Sequence, residues 1–150
     1  MAFEIIHFQF AVPSTAGTDV VDITGRVREK VLESGIRNGQ VVAFVPGSTA
    51  ALTTIEYERG VVRDLVDAIE RIAPRNLDYR HDERWGDGNG YAHVRAALLG
   101  PSLTVPVIEG QLALGTWQQM VLIDFDNRPR KRRIMIQVSG DVTGSSPEQT

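Results

Sequence analysis

The chain is 150 residues long, 42% apolar and 23% charged, with a formal charge of −3. That length suits one domain with its own core, and the composition is far from the polar, highly charged signature of disorder. There is no cysteine, which excludes disulfide frameworks, thiolate zinc centres, iron–sulfur clusters and cysteine nucleophiles, so a metal would have to be held by His, Asp, Glu or backbone oxygen.

From Phe3 to Val12 polar and apolar positions alternate, and Pro13 with Gly17 closes the run, which predicts a strand. Ile23, Val27 and Val31 recur every four residues, with Asp22 or Thr24 to cap the start and Gly35 at the stop, so a helix follows. Gln40 to Val45 and Ala50 to Tyr57 are apolar or β-branched and read as strands. Val62, Leu65, Ile69 and Ile72 keep the spacing of a helix with one buried face, which leaves Asp64, Asp67, Glu70 and Arg71 wet, and Pro74 ends it. Asn76 to Gly90 has no period and carries glycines at 86, 88 and 90, predicting a long loop of the kind that often bears function. Tyr91 to Leu99 forms a short helix ended by Gly100 and Pro101. The remainder is β: Leu103 to Val107, Gln111 to Leu114, Trp117 to Asp126 and Lys131 to Val138. Together these predict one α+β domain over 1–139, two layers with helices on one face of a mostly antiparallel sheet, and a flexible tail over 140–150. Met1 to His7 has no targeting pattern, and no stretch approaches the roughly 20 apolar residues of a membrane span. A cytoplasmic protein without membrane partners is expected.

Two of the three histidines, His81 and His93, fall between Tyr79 and Arg95, with Asp87 and Asn89 between them. Two neutral imidazoles and a carboxylate are a normal donor set for a catalytic divalent metal that keeps a position open. Zinc is expected if nitrogen donors dominate, Mg²⁺ if only the carboxylates engage. The spacing matches no strict zinc motif, and a solvated polar loop with a helix-capping histidine accounts for the same residues. Glu56, after an apolar run, suits a ligand or general base at a cleft edge, or a surface ion pair. Ser48 and Thr49 offer hydroxyls, and Gln118 can address a ligand's polar edge. Arg128, Arg130, Lys131, Arg132 and Arg133 crowd one hairpin. No aromatic residues alternate with them to stack bases, so they are expected to be a solvated turn guarding a sheet edge, and no nucleic-acid partner is predicted. On that expectation, neutralising Arg130 and Arg132 leaves the fold and any pocket intact.

Four motifs in succession, Pro46 to Glu56 (PGSTAALTTIE), Asp87 to Arg95 (DGNGYAHVR), Leu98 to Pro106 (LLGPSLTVP) and Leu114 to Gln118 (LGTWQ), resemble those of the YjbQ family, the secondary thiamine-phosphate synthase family. The resemblance implies a compact α+β protein, a homotrimer with a polar pocket near the subunit interfaces, and a small phosphorylated metabolite as ligand. It implies a transferase activity, main or secondary, that joins a pyrimidine diphosphate to a thiazole phosphate. Alternatives are a non-catalytic trimer that binds a metal or phosphometabolite, and a metal-dependent hydrolase. Carried over residue by residue, it points to Glu56, His93 and Asp87 for catalysis, with His81, Asp87 and His93 as metal ligands. Ser48, Thr49, Asn89, Arg95 and Gln118 are then expected to hold substrate, with Arg95 or Arg80 on phosphate. Gly47 stands where many members carry a histidine, and Gly90 and Tyr91 replace small and acidic residues before Ala92.

Overall fold

A computed structural model of the protein describes residues 2–142. Its elements in chain order are β1 (Phe3–Ser14), β2 (Asp19–Asp22), α1 (Thr24–Ser34), β3 (Asn38–Phe44), β4 (Ala50–Ile55), α2 (Arg59–Ile72), α3 (Arg80–Trp85), α4 (Gly90–Leu99), β5 (Ser102–Ile108), β6 (Gln111–Leu112), β7 (Gln119–Asp124) and β8 (Arg130–Asp141). The expected α+β class with antiparallel pairing is what forms. The strands divide into two sheets, ordered β1-β8-β3-β5-β6 and β2-β7-β4, in which every pairing is antiparallel.

The three-stranded sheet lies between the other layers, and the parity of β7 shows how. Side chains alternate across a strand. Met120 and Leu122 join the core shared with Phe10, Val41, Ile134 and Ile136 of the larger sheet and with Val27 and Val31 of α1. Val121, Ile123 and Phe125 join a second core with Ile69 of α2 and Tyr91, Ala92 and Ala96 of α4. A strand covered on both faces has no polar side to show, which explains the unbroken apolar run from 120 to 123.

Local signals account for most boundaries. The Asp22 carboxylate accepts from the Thr24 N–H and hydroxyl at the start of α1, and Gly35 closes that helix with φ 71°. Glu58 caps α2 by accepting from the Gly60 and Val61 N–H groups. Three expectations change. The stretch 76–90 is not all loop, because α3 forms within it, ended by Gly86 at φ 70°. The strand β2 was not anticipated, since four residues are too few to show a period. The chain does not fray at Gly140, since β8 continues to Asp141, opposite Phe3 on one side and Asn38 on the other. The rest of the expected tail, 143–150, lies outside the described residues. No helix among the described residues is long and apolar enough to cross a membrane.

Candidate functional site

Two facing walls form a cleft of about 410 Å³ at the end of the three-stranded sheet. The first comes from β8 and the turn before it. Ile134, Ile136 and Val138 face the core, so the period of two carries that inward face back through Arg132 and Arg130. The odd positions, Lys131 and Arg133, are exposed. The inward arginines meet Asp124 and Asp126, which continue the Met120–Leu122 face of β7 and whose side chains have no exposed surface. Arg132 grips Asp124 in a two-point fork, Nε to Oδ2 at 2.7 Å and Nη2 to Oδ1 at 2.9 Å, and also donates to the Thr49 hydroxyl at 2.6 Å. Arg130 donates to the Asp126 carboxylate at 2.8 and 2.9 Å. Thr49 and Asn89 donate to Asp126 as well, at 3.0 and 3.3 Å. The basic hairpin is therefore not a solvated turn: half of it is built into the cleft wall and the buried polar network behind it. The parity of β8 was the signal available in the sequence for finding this.

The other wall carries the histidines. Asp82 of α3 accepts from the Gly90 N–H at 2.9 Å, which ties α3 to the start of α4. The contact needs glycine, because a Cβ at Gly90 would lie 2.6 Å from the Tyr79 Cβ. This junction brings the His81 and His93 rings to 4.2 Å between centroids. His81 Nδ1 lies 3.6 Å from the Asp87 carboxylate and 3.4 Å from that of Asp82. Donor atoms of His81, Asp82 and Asp87 all fall within 4.8 Å of one another, a group that takes in Asp82 and leaves out His93, whose ring lies beside that of His81. Burial first, and then the neighbouring His81, push the His93 pKa below the ordinary histidine value, against the pull of Asp126, Asp87 and Asp82. A neutral His93 is the form a metal requires. The donors fit a divalent cation, and Asn89 Oδ1 in the same cleft is buried without a hydrogen-bond donor among the described residues.

Ser48, Thr49 and Asn89 line the cleft as expected. Arg95 does not. It sits two positions after His93, on the far side of α4, and is 2% exposed. It donates to the Ala73 carbonyl and the Thr18 hydroxyl, pairs with Glu70, and lies 4.9 Å from the Tyr91 ring centroid. That is a structural tie between α2 and α4. Glu56 and Gln118 are also outside the cleft. Thr49 is at the cleft end of β4, while Glu56 follows the other end, roughly 20 Å of strand away. Gln118 donates to Thr54 at that same far end. Arg80 is exposed at the start of α3 and does not line the cleft. Gly47 has φ 134°, a conformation L side chains rarely adopt. The loop here is shaped for glycine, so the expected imidazole is not merely truncated. A larger depression of about 770 Å³ beside α2, lined by Tyr57, Glu58, Val62 and Val66 among others, contains no histidine.

The description "UPF0047 protein YjbQ-like" matches residues 8–141. A UPF0047 protein of Archaeoglobus fulgidus is 42% identical over 118 residues, 79% of this chain and 89% of that one. One from Methanothermobacter thermautotrophicus is 36% identical over 137 residues, 91% and 94% of the two chains. Among solved structures, a YbjQ-like protein of unknown function from Sulfolobus solfataricus superposes with a TM-score of 0.89 at 33% identity, covering 93% of this chain and all of that one. A hypothetical protein of Aeropyrum pernix gives 0.84 at 31% identity, covering 91% and 99%. With its motifs, fold and near-complete coverage in agreement, the chain belongs to the YjbQ-like UPF0047 family.

Proposed function

We propose that the cleft holds a divalent cation on His81, Asp82 and Asp87, with His93 beside them to complete its shell, and acts on a phosphorylated small molecule, in a transfer of the thiamine-phosphate-synthase type. The observation that carries this is the division of the cleft: imidazoles with Asp87 on one wall, and on the other three guanidinium groups that outnumber the two carboxylates paired with them. A metal-bound phosphoryl group has that polarity. In the reaction the bond from the pyrimidine methylene carbon to diphosphate oxygen breaks, a bond from that carbon to the thiazole nitrogen forms, and diphosphate leaves as the anion. The thiazole nitrogen attacks with its own lone pair, so no general base is needed. The task of the protein is to orient the two reactants and to stabilise the departing negative charge. A divalent cation would supply Lewis-acid stabilisation of that leaving group. The lowered pKa of His93 suits a neutral ligand better than a general acid.

The test incubates pure protein with the two precursors and Mg²⁺ or Zn²⁺, beside His93→Ala and Asp87→Asn. Product above the variants' background is expected, together with zinc affinity at least tenfold weaker in His81→Ala and His93→Ala. Equal product from wild type and variants removes the transferase, and unchanged zinc affinity in both histidine variants removes the metal. One observation favours a second reading, binding without turnover: Glu56 and Gln118 stand at the far end of β4. Assembly as a homotrimer, carried by the resemblance, is supported by apolar side chains on and beside α2 that the single chain leaves uncovered, notably Ile72 and Leu77.

A further inference from the structure

We infer that the cleft recognises a phosphate carried on a flat aromatic heterocycle, with Arg128 and Arg130 taking the phosphate and Trp85 stacking on the ring. This rests on the proposed use of the same cleft but on different residues.

The charge arrangement leads to the phosphate. Asp124 is engaged by Arg132 and Asp126 by Arg130, so the acids of this wall are already matched. Arg128, two residues earlier on the same cleft lining, has no hydrogen bond or ion-pair partner among the described residues. Arg130 directs Nε and Nη2 at a single oxygen of Asp126 and remains 35% exposed, which leaves guanidinium N–H groups for a ligand. Two guanidinium groups held beside a carboxylate network suit an anion with several oxygens. The cleft volume of about 410 Å³ is that of a small-metabolite site rather than a polymer groove.

The ring follows from Trp85. It closes α3 at the mouth of the cleft and is 65% exposed, although a tryptophan gains much from burial. The Arg84 guanidinium lies 5.1 Å from its ring centroid, so a cation already accompanies the indole and most of its surface is still open. An indole at the rim of a cleft whose opposite side supplies guanidinium groups is placed to stack on the heterocycle of a phosphate ester.

The probes are uridine 5′-monophosphate and ribose 5-phosphate, which differ in the ring and share the phosphate. Both are titrated with a chelator present, so that failure of the metal reading leaves this test unaffected. Heat of binding is measured for each, with quenching of Trp85 emission in a Trp117→Phe background. Wild type is expected to bind the nucleotide at least about 5-fold more tightly than the sugar phosphate, with quenching, as ring stacking predicts. Arg128→Gln should weaken both probes about 10-fold or more, the loss of a charge-assisted contact. Trp85→Ala should abolish the preference for the nucleotide and leave ribose 5-phosphate binding unchanged. Both side chains are exposed and circular dichroism should show the fold intact. The inference is overturned if wild type binds neither probe at millimolar concentration, if Arg128→Gln binds both as wild type does, or if the nucleotide preference survives Trp85→Ala.

Discussion

Replacing Arg132 by Met keeps most of the side-chain volume and removes the guanidinium that matches Asp124. The Asp124 side chain has no exposed surface and that of Arg132 only 10%, so solvent does little to screen the pair. Removing one partner of a buried pair leaves an uncompensated charge, at a cost of about 3–5 kcal/mol. Loss of the hydrogen bond to Thr49 adds about 1 kcal/mol. With a urea m-value of about 2 kcal/mol per molar, the unfolding midpoint should fall by about 2–3 M, measured at pH 7 and fixed protein concentration. Two controls tie the loss to the charge. Arg132→Met with Asp124→Leu should recover most of the stability, because neither charge is then buried. In Arg132→Met alone, Asp124 is buried without its guanidinium and its pKa rises, so the gap to wild type should narrow as pH is lowered and the carboxyl takes up a proton. A single variant within 1 kcal/mol of wild type would refute the network and restore the solvated hairpin.

Further outcomes follow from the same structure. Burial alone would raise the Asp124 pKa, but hydrogen bonds from Arg132, Ser14 and the Asp126 N–H outweigh it, and the net shift is downward from the ordinary value of 3.8. Its contribution to stability is therefore complete above that value and lost as pH falls through the lower folded-state pKa. Urea midpoints from pH 7 to 3 should drop below about pH 4, and less so in Asp124→Asn. Gly39→Ala should cost about 1–3 kcal/mol or abolish folding, because its Cβ would lie 1.9 Å from the Ser139 carbonyl oxygen; a thermal melt within error of wild type would contradict the close approach of β3 and β8. Light scattering at micromolar concentration should give three chain masses, and a monomer mass would remove the trimer.

Periodicity was enough for α1 and α2, because each repeats an apolar position against a capping or breaking residue such as Asp22, Gly35 or Pro74, while α4 was legible from its terminator, Gly100 and Pro101. It failed for α3, whose six residues include no buried position and so carry no hydrophobic period at all. His81 and His93 were legible as a pair through their scarcity and the glycines between them, and the fold brings their rings together. Asp82 adjoins His81 in the sequence, but its hydrogen bond from the Gly90 N–H, which ties it to the start of α4, depends on how α3 docks.

The sequence by itself determined what local pattern and composition can carry: the α+β class, the cysteine-free chemistry, the family motifs and the segment that holds the histidines. Tertiary structure alone decided which polar residues share a cleft. Glu56 and Thr49 are seven residues apart on one motif, yet the length of β4 separates them, while Arg132 and Thr49 are 83 residues apart and hydrogen-bonded. Strand direction and sheet order set those distances, and neither can be read from the spacing of residues along the chain.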